Sequence, residues 1–166
     1  MGKPAASRAA ILTLVAQAQS LAPKRRPDDL PPTAVFPDVP DWHSHEWTIW
    51  ELGEQAPQAL VEAKSLLGDA AIYGAITQLI ADTAAGRGPQ SCVLLFGFVT
   101  CAPYAAHIAD LLGDPDVAGH AVTALTKAKA KAAGYSDRVR PLLDAHQAWI
   151  RRTAQRYVDR YGTSPS

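Results

Sequence analysis

Residues 111–125, LLGDPDVAGHAVTAL, and residues 142–158, LLDAHQAWIRRTAQRYV, follow one plan. Each opens on a Leu-Leu pair, passes a short Asp-bearing turn and runs into an apolar stripe: Val117, Ala121, Ala124 and Leu125 in the first, Ile150, Ala154, Tyr157 and Val158 in the second. Positions i, i+4, i+7 and i+8 lie on one face of an α-helix. The plan occurs once more upstream, where Leu66 and Leu67 precede the stripe Ile72, Ile76, Leu79 and Ile80. In all three copies an apolar residue stands three positions before the pair, at Ala63, Ile108 and Val139. Three helical pairs in tandem predict a stacked helical solenoid, in which each pair buries its face against the next.

Outward from these copies, nearly everything after Asp41 reads as helix. Short helices are predicted over about 45–54 and, opened by Pro57, over 57–67; Gly68-Asp69 turns into a helix over 70–84. The run Gly86-Arg87-Gly88-Pro89 breaks the chain, and Gln90 to Cys101, apolar on all sides, reads as a central helix. Pro103 suits the first position of a helix over 103–112, and further helices are expected over 117–131, 137–144 and 147–161. The domain boundaries follow: 1–22, an N-terminal amphipathic helix; 23–44, a Pro-rich connector anchored by Val35 and Phe36; 45–161, the helical repeat domain; 162–166, a flexible tail.

The two quoted stretches resemble the HEAT and armadillo-like helical repeat superfamily, with two helices joined by a tight Asp- or Pro-bearing turn and a β-branched residue opening the second. Repeats of that superfamily often place Arg or Lys directly after the β-branched residue, reaching an Asp in the turn. Arg151 after Ile150 fits, with Asp144 as the implied partner, whereas Ala118 and Tyr73 occupy that position in the other copies. The resemblance covers about residues 45–161. It implies an all-α, irregular HEAT-like α-solenoid of about eight or nine helices, and a role in binding macromolecules.

Composition is consistent with a folded protein that needs neither disulfides nor metals. The 166 residues suffice for a continuous core. Lys plus Arg and Asp plus Glu both total 16, yet residues 41–114 hold two bases against nine acids and residues 115–166 nine bases against four acids. Cys92 and Cys101 stand nine residues apart on the predicted central helix, on opposite faces, and read as buried thiols of a reducing, cytoplasmic compartment. The apolar stretch after Arg8 is short and is followed by Gln17 and Gln19, with the Ile11, Leu14, Val15, Ala18 spacing of a surface helix rather than a signal peptide. No segment approaches a membrane span, and no membrane partner is expected.

Side chains able to carry function concentrate in Trp42-His43-Ser44-His45-Glu46-Trp47, with Trp50, Glu51 and Glu54 following. Tryptophans are frequent energetic anchors of interfaces, and carboxylates around them favour a basic protein partner. The alternative for the same rings is a cover over the first repeat. Two imidazoles and a carboxylate also raise a small metal-dependent enzyme around His43, His45 and Glu46. Helical spacing sets His43 and His45 200° apart, so no metal or other cofactor is expected.

A second candidate surface is basic. Arg152, Arg156 and Arg160 recur every four residues opposite the buried stripe, Lys127 and Lys131 share a face, and Arg138 and Arg140 lie on the neighbouring helix. Such cations neutralise phosphates in nucleic-acid-binding helical repeats, although exposed aromatic side chains interleaved for base stacking are not expected in this segment. No nucleophile motif, phosphate loop or glycine fingerprint is present, so no catalytic residue is assigned. The expectation is a non-catalytic binding scaffold, of which an immunity or adaptor protein neutralising a basic partner is one form, with nucleic-acid binding as the alternative.

Overall fold

The computed structural model describes residues 7–25, 42–128 and 135–162. The interior of the connector with Val35 and Phe36, Lys131, and the tail after Gly162 fall outside the described residues. Everything regular within them is helical, with no strand. The chain divides into two compact units, Met1–Cys92 and Val93–Ser166.

In the first unit, helix α1 (Arg8–Leu21) starts at Ser7, whose hydroxyl accepts from the Ala10 N–H, and buries Ile11, Val15 and Ala18. It packs on both α2 (Ser44–Glu62) and α3 (Ala70–Ala81), and so belongs to the unit's core rather than standing apart as an N-terminal segment. Asp69 caps α3, its carboxylate accepting from the Ala71 and Ile72 N–H groups and pairing with Arg8 at 3.2 Å. The upstream stripe Ile72, Ile76, Leu79 and Ile80 is buried on α3.

The predicted break near Pro57 does not occur. Helix α2 runs through it, because Ile49, Gly53, Ala56 and Leu60 form one buried face that packing holds helical. A side chain at position 53 would also collide with Ser91. After α2 the chain forms a single 3-10 turn, Lys64–Leu66, in place of the expected helix end.

The central helix expected over 90–101 is likewise absent. Helix α4 is one turn, Gln90–Val93, followed by 3-10 turns Leu94–Gly97 and Val99–Tyr104 with Phe98 extended between them. Pro103, lacking an N–H, sits inside the second of these turns, and the next helix, α5 (Ala105–Asp110), starts beyond it. Gly97 lies against the Lys127 side chain, where any Cβ would come within 3.2 Å of the lysine's own.

The second unit holds the two quoted stretches. Helix α5 packs on α6 (Ala118–Lys127) and α6 packs on α8 (Ala148–Tyr161). Short helix α7 (Ser136–Val139) and the 3-10 turn Arg140–Asp144 also pack on α8. Val117, Ala121, Ala124, Leu125, Ile150, Ala154 and Tyr157 are buried as their spacing requires. Close approach of α6 and α8 depends on Gly119, where a Cβ would run into Trp149 and Ile150. Arg151 does not reach Asp144: its guanidinium donates to the carbonyls of Ala145 and His146, both at 2.7 Å, because the turn presents its backbone toward α8.

Candidate functional site

The geometry around the tryptophans is organised by Glu46. Helix α2 begins at Ser44, so His43 is the extended residue before it, and its backbone N–H reaches the Glu46 carboxylate at 2.9 Å. The other carboxylate oxygen accepts from the Arg87 N–H at 3.0 Å, and the Arg87 guanidinium stands 3.7 Å from Glu46. Glu46 is 0 % exposed and Arg87 8 %. The approach depends on the flanking glycines: Gly86 has φ +56 and a Cβ there would strike the Glu46 carboxylate, and a Cβ on Gly88 would lie 2.7 Å from that of Ile49. The Arg87 guanidinium carbon lies 5.2 Å over the Trp42 ring, a cation–π contact that covers the buried pair.

From this anchor the indoles run outward. Trp42 and Trp47 centroids are 4.9 Å apart at 30°, and Trp47 and Trp50 are 6.0 Å apart at 85°. Trp47 is 47 % exposed. Trp47, Trp50, Glu51 and Glu54 follow i, i+3, i+4 and i+7, one face of α2, while Glu46, Ile49, Gly53, Ala56 and Leu60 bury another. Glu51 is exposed and Glu54 half-buried, and neither makes an ion pair among the described residues. Glu46, expected among the contact residues, is committed to the interior.

His43 and His45 are not on opposite sides. Because His43 precedes the helix, the two rings stack 5.4 Å apart at 18°, and the buried Nε2 of each has no hydrogen-bond partner among the described residues. Glu46 has both oxygens engaged, so the cluster offers two imidazoles without an available carboxylate. Among the described residues no group of three or more His, Cys, Asp or Glu side chains is placed to hold a metal ion. Next to this cluster, Ser91 donates to the Trp50 carbonyl at 3.4 Å. Burial, reinforced by the Glu54 charge and opposed by Ser91, pushes the Cys92 thiol up to about 12, and so keeps it from acting as a thiolate nucleophile.

The basic residues divide. Arg138 makes two hydrogen bonds to Asp110 at 3.1 Å, and Arg140 pairs with Asp137 at 3.4 Å. Lys127 lays its stem against Gly97. Arg152, Arg156 and Arg160 are exposed on α8 and make no ion pair among the described residues. On the same unit His120 meets Trp149 edge to face at 5.2 Å, and burial lowers its pKa to about 4.

Arg87 is the residue that sequence reading passed over as part of a chain break. The available signal was that Arg87 and Lys64 are the only bases between residues 41 and 114, and that Arg87 alone is bracketed by glycines. No protein-family model, curated protein or solved structure matches the chain.

Proposed function

We propose that this chain is a non-catalytic helical scaffold that binds another protein, one with a basic surface, through the exposed face of α2. One observation carries the reading: Trp47 is held half-exposed in a fixed aromatic array, on a face whose charged side chains are acidic and make no ion pair among the described residues. Exposing an indole forgoes hydrophobic burial, and contiguous aromatic patches rimmed by polar side chains mark surfaces where something docks. The buried Glu46–Arg87 anchor fixes Trp42 and the start of α2, so ordering the face on binding costs little.

The same reading extends to architecture and compartment. The second unit, with two helical pairs and α6 packed on α8, supports an irregular HEAT-like arrangement, and two buried cysteines suit a cytoplasmic protein. No described helix is long and apolar enough to cross a membrane.

The test is capture of the binding partner from extract of the source cells by the wild-type chain, by Trp47→Ala, and by Arg152→Ala/Arg156→Ala, with helicity and thermal midpoint followed in parallel. Loss of the partner in Trp47→Ala alone, with the fold intact, is expected. Loss only in the arginine double variant would move the contact surface to α8 and favour nucleic acid or an acidic protein.

A further inference from the structure

We infer that the exposed face of α2 receives an arginine of a basic peptide segment, the guanidinium lying on the Trp47 indole and held by Glu51 and Glu54; this rests on, and deepens, the reading of that face as the contact surface. The molecule already contains the arrangement in complete form. The Arg87 guanidinium lies 5.2 Å over Trp42 and 3.7 Å from the Glu46 carboxylate, a cation set between an indole and an acid. The same residue types recur just outside it. Trp47, 4.9 Å from Trp42, turns outward, and Trp50 stands at 85° to it, so the two rings make a corner. Glu51 follows Trp47 by four residues and Glu54 follows Trp50 by four, which places a carboxylate one helical turn from each ring.

In the outer arrangement no described residue of this chain supplies the cation. Neither Glu51 nor Glu54 has an ion pair among the described residues, and α2 contains no Lys or Arg over its whole length. The potential along the face is therefore negative, drawing a cationic segment in. Chemistry then selects the side chain. An indole face attracts any cation, but a planar guanidinium both stacks flat on it and presents N–H groups in its plane to a carboxylate, which an ammonium on a flexible stem does less well. Val61, 56 % exposed and fourteen residues beyond Trp47 on the same side of α2, gives the apolar part of such a segment a second contact.

The test uses short acetylated, amidated peptides that differ only in bearing arginine, lysine or citrulline, titrated into the full chain at low and high salt, with indole N–H resonances as the readout. Arginine should bind tightest and shift Trp47, with citrulline, nearly the same shape without charge, weaker by about tenfold. Trp47→Leu should weaken the arginine peptide by about three- to tenfold, and Glu51→Gln/Glu54→Gln should weaken it and flatten its salt dependence. Equal binding of arginine and citrulline peptides, or arginine binding unchanged in both variants, overturns the inference. If Trp47→Ala loses the cellular partner while the arginine peptide ignores Trp47, the contact surface stands and the guanidinium chemistry falls. If the peptide binds at Trp47 while the cellular partner survives Trp47→Ala, the chemistry stands and its use as the partner's docking face falls.

Discussion

The Glu46 carboxylate accepts a hydrogen bond from the backbone N–H of Arg87, 41 residues away in the chain, while pairing with that residue's guanidinium. One side chain thereby caps α2, pins the Gly86–Gly88 turn and sets the Arg87 guanidinium over Trp42.

Removing that charge takes the opposite sign from beside the buried Arg87 guanidinium. Glu46→Gln should cost roughly 3–5 kcal/mol, and combining it with Arg87→Met should cost clearly less than the sum of the two single changes. Urea unfolding of the three variants followed by tryptophan fluorescence gives the coupling. Additive losses, or a Glu46→Gln loss below about 1 kcal/mol, would show that the pair does not act as a unit.

His120 gives the second unit a pH dependence. Its pKa falls from 6.5 to about 4 on burial. Between those values the unfolded chain binds a proton that the native state refuses, so stability is full above about pH 6.5 and declines until about pH 4. The loss amounts to roughly 2–4 kcal/mol. His120→Phe, which keeps a ring against Trp149, should remove this part of the decline. Parallel urea midpoints for the two proteins between neutral and acid pH isolate it, and superimposable pH profiles would sink the assignment.

Two glycines should respond oppositely to alanine. At Gly74, inside α3, an added Cβ meets nothing within 4 Å, so Gly74→Ala should stabilise by about 0.5–1 kcal/mol through the unfolded state. At Gly119 the methyl strikes Trp149 and Ile150, and Gly119→Ala should destabilise by about 1–3 kcal/mol. Thermal midpoints moving in the same direction would contradict the α6–α8 packing.

The basic surface should bind nucleic acid feebly. With Arg138 held by Asp110 and Arg140 by Asp137, the exposed cations without ion pairs among the described residues of the second unit are mainly those of α8. Duplex DNA titrated at physiological salt is expected to give no saturable binding. Salt-sensitive micromolar binding that Arg152→Ala/Arg156→Ala abolishes would reinstate the nucleic-acid reading.

What the sequence made legible was local. The stripes on α3, α6 and α8 were readable because burial at i, i+4, i+7 and i+8 leaves its mark within a few turns. Pro57 misled because proline's cost is a local rule, while the packing that overrides it, at Ile49, Gly53 and Leu60, comes from elsewhere in the fold. His43 and His45 misled for a different reason: helical arithmetic fails when one of the two residues is the cap, and a shift of one residue at the helix start brings the rings together. The tryptophans and outer glutamates were visible as a cluster, but what organises them was not, since the Glu46–Arg87 pairing spans 41 residues and leaves no periodic trace.

The position of α1 against both α2 and α3 bears on how the protein is made. Translation delivers Ile11, Val15 and Ala18 before the residues that cover them: Arg8 finds Asp69 only 61 residues later, and α3 must be complete before the apolar side of α1 is fully covered. At about 5–20 residues per second, a nascent chain carries that uncovered helix for several seconds after it clears the ribosome. The amphipathic α1 therefore offers an uncovered apolar face to a ribosome-associated chaperone, and shortening the stretch between α1 and α2 should speed its protection by lowering the cost of loop closure.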